Sequence, residues 1–191
     1  MLRINNLSKN FDDKEVLKDL SITFPNSGFV AICGPSGCGK STLLHIISGF
    51  EKPSCGEIIF NDIAHSISMS FQEPRLLPDR TALQNVNFVL GDKKATLSRA
   101  KELLVALDIQ DVDLYPDELS GGMKARVSIA RALAKKTDIY IFDEPFANLD
   151  KETALLCIDV IKKETAGALT VAVLHDTDLA EKISDRVIYL K

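Results

Sequence analysis

The chain has 191 residues, 46% hydrophobic and 26% charged, with 23 Lys+Arg against 27 Asp+Glu for a formal net charge of −4. That is ordinary globular usage, and the length suffices for a core that needs no disulfide or metal staple, so collagen, a disulfide scaffold and a disordered tail are excluded. The acidic balance argues against a dedicated nucleic-acid binder, whose domain is normally basic, and no apolar run approaches the ~20 residues of a spanning helix.

In chain order, the opening third alternates with the two-residue period of half-buried strands at Leu2/Ile4, Leu20/Ile22/Phe24 and Ile58/Phe60. Set into it, Gly28 to Cys33 is a continuous apolar strand, Gly34 to Gly39 is glycine-rich, and Lys40 to Ser48 carries Leu43, Leu44, Ile46 and Ile47 at helical spacing. After Phe71 the character changes: Pro74, Pro78 and Gly91 punctuate a polar stretch, and Leu97 to Leu107 forms an amphipathic pattern. This predicts a small helical subdomain over about 73–135, with a second helix at Met123 to Ala134 that exposes Lys124, Arg126 and Arg131. The remainder reads strand (139–142), helix (153–164), strand (169–174), short helix (178–183) and strand (186–190), an alternation that implies an α/β fold with a mostly parallel sheet covered on both faces. The N-terminus lacks the long apolar core of a signal peptide, so the chain is expected to stay in the cytoplasm. Cys33, Cys38, Cys55 and Cys157 form no CxxC pair, and His45, His65 and His175 stand at no zinc-ligand spacing from them, so all four thiols are expected to be reduced.

Three short stretches carry chemistry. The segment Gly34-Pro35-Ser36-Gly37-Cys38-Gly39-Lys40-Ser41 satisfies G-x-x-x-x-G-K-[ST]. Backbone N–H groups can converge on phosphate oxygens there only if side chains stay out of the way, and the following helix offers its positive end to the anion. Lys40 supplies a charge for the β/γ-phosphates and Ser41 a hydroxyl for Mg²⁺. Ile139 to Glu144 is an apolar strand ending in two carboxylates at an edge where α/β sheets bind ligands. Asp143 is suited to the Mg²⁺ shell and Glu144 to polarising a water, although taken alone Asp-Glu is also a common solvated strand end. Leu119-Ser-Gly-Gly-Met123 is by itself a good N-cap, and it is also a second anion-ready helix terminus.

Taken in order, Gly34 to Ser41 with Thr42, Gln72, Leu119 to Gly122, Ile139 to Glu144, Leu149-Asp150 and His175 resemble the Walker A, Q-loop, signature, Walker B, D-loop and switch histidine of an ATP-binding cassette (ABC) transporter ATPase. The resemblance covers nearly the whole chain, residues 1–191 as one ABC ATPase domain. It implies a P-loop NTPase core with an antiparallel β-subdomain and an inserted helical subdomain, and ATP and Mg²⁺ as cofactors. It also implies roles: Lys40 and the Gly34 to Thr42 backbone on phosphates; Ser41, Gln72 and Asp143 near the metal; Glu144 as general base; His175 as γ-phosphate sensor. Phe11, after Leu7-Ser-Lys-Asn10, resembles the aromatic that stacks on adenine, while a residue capping the first sheet would look the same in sequence. In the family two subunits pair head to tail, so that Ser120, Gly121 and Gly122 of one, with Asp150, meet the γ-phosphate held by Lys40 of the other.

Several positions depart from the pattern. Met123 and Ala125 stand where Gln is frequent, Ala147-Asn148 where Ser-Ala often precedes Leu-Asp, and 61–71 is short for the family. Nothing follows the last strand, so no C-terminal regulatory domain is expected. Gln72 to Pro78, Thr81 to Val86, Met123 and Asp143 to Phe146 are similar to importers of the nitrate, sulfonate and taurine group, with Asp79 in place of the usual Trp. The resemblance thus implies an ATP-hydrolysing subunit, peripheral on the inner face of the cell membrane. Its implied partners are a second copy or a related ATPase subunit, a separate permease and a solute-binding protein, with no direct nucleic-acid binding. The alternative is a soluble ABC-type ATPase in DNA repair, chromosome organisation or translation, chains that usually carry a coiled coil or two cassettes. Leu76 and Leu77, an apolar pair between prolines, are expected at the permease surface unless they pack within the helical subdomain.

Overall fold

The computed structural model describes residues 2–12, 14–60 and 65–191. The N-terminal Met1 and residues 61–64 of the short 61–71 segment lie outside the described residues. The chain divides into two units, one comprising the stretch up to Ile67, Thr137–Asp143 and Gly167–Lys191, the other Ser68–Lys136 and Glu144–Ala166.

In the first unit, β1 (Leu2–Phe11), β2 (Lys14–Thr23) and β4 (Cys55–Phe60) form an antiparallel sheet of order β2-β1-β4. Its register sets Ile4 opposite both Ile22 and Ile58. One face is therefore apolar, and Leu2, Ile4, Leu7 and Ile22 are buried on it. The parallel strands β3 (Gly28–Cys33), β6 (Ile139–Asp143), β7 (Leu169–Val173) and β8 (Arg186–Tyr189) run in the order β6-β7-β3-β8, with Val30 opposite Val171 and Phe142 opposite Ala172. Every residue of β6 and β7 is buried, the environment that a predominantly apolar strand requires, and Thr170 and Asp143 are the polar residues among them. Helices α1 (Lys40–Ile47) and α6 (Thr177–Ile183) belong to the same unit, α1 burying Leu43, Leu44, Ile46 and Ile47. Strand β5 (Ile67–Ser70), which sequence periodicity does not announce, crosses the division between the units.

The second unit is helical. Helix α2 (Ala82–Phe88) was not evident from periodicity, because only a few apolar residues fit in its two turns. It is secured by a capping box in which Thr81 Oγ1 accepts from the Gln84 N–H and the Gln84 side chain accepts from the Thr81 N–H. A single 3₁₀ turn at Lys94–Thr96 leads into α3 (Leu97–Ala106), and α4 (Gly121–Leu133) and α5 (Lys151–Glu164) complete the unit. The core is made by Val86, Leu103, Leu104, Leu107, Val127, Ile129 and Leu133. Two expectations are corrected. Helix α4 begins at Gly121, not Met123, because Ser120 Oγ accepts from the Met123 N–H and so makes both glycines part of the first turn. Lys124, Arg126 and Arg131 are half-buried, not exposed. The reason for Arg126 and Arg131 is that the chain supplies acceptors for them, Leu107 O, Asp108 O and Asp108 Oδ2 for Arg126 and two carbonyls for Arg131.

Among the described residues, no helix is long and apolar enough to cross a membrane. All four cysteines are free thiols, Cys33 and Cys157 buried, Cys55 exposed and Cys38 between. Burial pushes the Cys157 thiol up to about 12.

Candidate functional site

The glycine-rich loop follows β3 and ends at Gly39, which stands at the N-cap of α1 with φ +94°. Only glycine fits there: a Cβ would lie 2.9 Å from Val16 O and 2.6 Å from Leu17 Cδ2. Helix α1 has no side-chain cap and no acidic residue in its first turn, so its positive end is left for an external anion. Pro35, Ser36 and Gly37 at the crest of the loop are exposed, while Gly34, Cys38, Ser41 and Thr42 are half-buried. The Lys40 ammonium is drawn in under the loop, 5% exposed overall, donating to Gly34 O and Pro35 O at 2.9 Å each. Neutral carbonyls hold it where a phosphate would be the stronger partner.

At the end of β6, Asp143 is 2% exposed, and Ser41 Oγ donates to its Oδ1 at 3.2 Å. The structure thus brings together two of the three residues that the sequence assigned to a metal, Ser41 and Asp143, 102 positions apart, while Gln72 lies in the second unit. A hydroxyl and a carboxylate are hard oxygen donors, the chemistry Mg²⁺ takes when phosphates and waters complete its shell. Among the described residues there is no group of three or more His, Cys, Asp and Glu that could hold a metal ion. His175, exposed, follows Leu174 immediately beyond β7, and Leu174 N donates to Ile32 O of the neighbouring β3 at 3.1 Å. Phe11 closes β1, 44% exposed, with Lys9 Nζ 4.6 Å from its ring centroid. The ring is thus partly exposed and takes a cation over its face.

In the second unit, Gln72 Nε2 donates to Glu144 Oε2 at 3.0 Å. Glu144 has φ +49°, an uncommon backbone for a residue with a side chain, adopted where the chain leaves β6 for Pro145. Gln72 and Glu144 share a small cavity of about 10 Å³ with Ser70, Ala125, Ser128 and Asn148, room for about one water among polar walls. The signature segment Ser120-Gly121-Gly122 is the first turn of α4. Nothing lies within 4 Å of where a Gly121 Cβ would be, whereas one on Gly122 would lie 3.2 Å from Asn148 O and 3.3 Å from Leu149 Cδ2. The structure therefore packs Asn148-Leu149, the two residues before Asp150, beside the signature turn. Asp150 itself caps α5, its Oδ1 accepting from the Thr153 N–H and its Oδ2 from the Thr153 hydroxyl, bonds that hold its carboxyl below the usual range.

Sequence reasoning missed three residues that organise this unit. Asn85 is fully buried and laces Leu77, Arg80 and Thr81 together through its amide. Ser128 pairs with Ser70 at 3.0 Å behind the cavity, and Arg131 grips the loop after Gln72. A polar residue on the apolar stripe of a helix was the available signal for Ser128, whereas Asn85 lies in a helix that periodicity did not announce.

The family model described as ABC transporter matches residues 17–147. The aliphatic sulfonates import ATP-binding protein SsuB of Rhodopseudomonas palustris (strain BisA53) is 38% identical, over 100% of this chain and 70% of that protein. The arginine transport ATP-binding protein ArtM of Bacillus subtilis (strain 168) is 37% identical, over 100% of this chain and 87% of that protein. Among solved structures, MJ0796, a bacterial ABC transporter cassette in dimeric form, superposes with a TM-score of 0.93 at 33% identity, covering 100% of this chain and 94% of that one. A dimeric post-hydrolysis state of the same cassette bound to ADP and Pi gives 0.90 at 32% identity, with the same coverage.

Proposed function

The chain belongs to the ABC transporter family and is an ATP-binding, ATP-hydrolysing cassette, and on that premise we propose that two copies pair head to tail and drive the import of a small solute through a separate permease. The observation that carries this reading is the pair of anion-ready helix termini in one chain, α1 behind Lys40 and α4 behind Ser120. One bound nucleotide needs only one of them, and a second is explained if it serves the nucleotide of a second copy. Residues 1–191 act as a single ABC ATPase domain, with the helical segment of about 73–135 inserted in the α/β core. Every relative named above is a transport protein or transporter cassette, so the alternative in DNA repair, chromosome organisation or translation is not favoured. Relatives of nearly equal identity serve sulfonates and arginine, as expected where cargo touches the permease and never the motor. The place of action is the inner face of the membrane, with a solute-binding protein as a further partner.

Lys40 and the N–H groups of Gly34 to Thr42 hold the phosphates, and Phe11 stacks on the base. Ser41 and Asp143 hold Mg²⁺, with Gln72 touching metal or water; when bound, the cation neutralises charge on the phosphate oxygens. Glu144 accepts a proton from the attacking water, whose oxygen bonds the γ-phosphorus as the bond to ADP breaks, and His175 senses the γ-phosphate. Ser120, Gly121 and Gly122 of the second copy close over that phosphate beside its Asp150 turn.

Mixing Lys40→Ala chains with Ser120→Arg chains tests the shared site. Each variant alone should be inactive, and the mixed dimer should regain one working site, with specific activity rising with protein concentration. Inactivity of the mixture, or activity independent of concentration, would show that each chain works alone.

A further inference from the structure

The face of α4 given by Ala125, Ser128 and Arg131 recurs every three residues, so the three side chains lie in one row. Ala125 and Ser128 line the cavity that Gln72 and Glu144 share. Arg131 extends the row, and its Nη1 donates to Arg75 O at 2.9 Å while its Nη2 donates to Pro74 O at 2.6 Å. One planar guanidinium thus clamps two successive carbonyls with two separate nitrogens held in a rigid fork, where a lysine would have to bridge them from a single flexible ammonium. The clamped segment is closed at its other end too. Arg75 has φ +45°, and its guanidinium lies back over the Phe71 ring, 4.4 Å from the centroid. Gln72 sits between these two closures, with its amide on Glu144.

The same helix starts at Ser120. From Gly121 to Arg131 an α-helix rises roughly 15 Å, so a rigid rod joins the anion-ready turn to the clamp. We propose that Arg131 is a positioning residue for hydrolysis: by gripping the Pro74 and Arg75 carbonyls it sets Gln72 against Glu144 and ties both to the helix that carries Ser120 and Gly122. The proposal rests on the reading of Gln72 and Glu144 given above. Burial lowers the affinity of Arg131 for its proton yet leaves it charged, so the two carbonyls compensate a cation drawn out of water. A displacement of the loop after Gln72 is passed along α4 to the turn that meets the γ-phosphate, and the reverse holds by reciprocity.

The test is a cycle of Arg131→Met, Gln72→Ala and the double variant in the purified chain, with kcat and KM for ATP measured at saturating protein concentration and melting temperature alongside. Arg131→Met should lower kcat on the order of 10–100-fold, the scale of a misplaced reacting group, with KM nearly unchanged. The double variant should be no slower than Gln72→Ala alone, because Arg131 acts through Gln72. Arg131→Lys should lie between wild type and Arg131→Met, and it takes over the cycle if the Met variant fails to fold. Wild-type kcat in Arg131→Met, or costs that multiply in the double variant, would overturn the proposal. Wild-type kcat in Gln72→Ala would instead overturn the role of Gln72 itself, and the proposal with it.

Discussion

Three glycines of the two turns proposed to bind anions face different surroundings, and alanine at each should separate strain, clash and function. At Gly39 an alanine must keep φ near +94°, which costs about 1–2 kcal/mol for a residue with a Cβ. Its methyl would also stand 2.9 Å from Val16 O, a backbone atom that cannot swing aside, adding ~1–3 kcal/mol of overpacking. At Gly37, φ is +81° but nothing lies within 4 Å, so only the first cost applies. Gly121 has neither cost and lies in the first turn of α4, where alanine should gain ~0.5–1 kcal/mol. At ~2–4 °C per kcal/mol for a chain of this size, Gly39→Ala should melt on the order of 10 °C below wild type and Gly37→Ala only a few degrees below. Gly121→Ala should melt at or above wild type and yet hydrolyse ATP poorly, since its methyl would occupy the surface offered to the second copy's phosphate. Thermal melts and ATPase rates on the three proteins decide the matter. Equal destabilisation by Gly37→Ala and Gly39→Ala, or a destabilised Gly121→Ala, would refute the reasoning.

Glu144→Gln keeps the size and the contact to Gln72 but removes the base, so turnover should fall on the order of 10²–10⁴-fold while ATP binding survives and an ATP-bound dimer persists on a sizing column; wild-type turnover would make Glu144 a mere strand end. The carboxyl of Glu164 is held below its ordinary 4.5 chiefly by its hydrogen bonds from Arg99 and further by the charges of Arg99 and Lys136. That contribution is fully present above 4.5 and is lost as pH falls through the lowered folded value, so the gap in urea midpoint between wild type and Arg99→Met should be constant at higher pH and shrink below about pH 4.5; a gap that does not change with pH contradicts it. A thiol reagent at mildly alkaline pH should modify exposed Cys55 first and reach Cys33 and Cys157 only on unfolding, checked by mass spectrometry before and after denaturant. Leu76 and Leu77 are half-buried beside the Asn85 lacing, and changing both to Ser should leave basal hydrolysis nearly intact while abolishing co-purification with the permease; loss of fold would place them in the core instead.

Much of the architecture is legible because it rests on patterns that repeat. The apolar run of β3, that of β6 up to Asp143 and that of β7, interrupted only by Thr170, fit a sheet covered on both faces, and the stripe of α3 can face only one way. The glycine-rich loop is readable for a different reason: the function proposed for it resides in the backbone, and glycine is the residue that exposes backbone. Strand β5 and helix α2 are illegible because four and seven residues carry too little periodicity; for α2 the Thr81–Gln84 box marks the start.

What the sequence by itself determined is which groups are available: Lys40, Ser41, Asp143, Glu144, Gln72 and the two glycine turns, each recognisable because its chemistry depends on residue type and local spacing. What only the tertiary structure decided is which of them meet. Ser41 reaches Asp143 across 102 positions and Gln72 reaches Glu144 across 72. Arg131, which helical spacing placed toward solvent, closes on the loop after Gln72. The physical reason is that a hydrogen bond between distant residues leaves no local periodicity. It exists only once the sheet and helices have set the distance, and a half-buried polar group then takes the partner that the fold brings within reach.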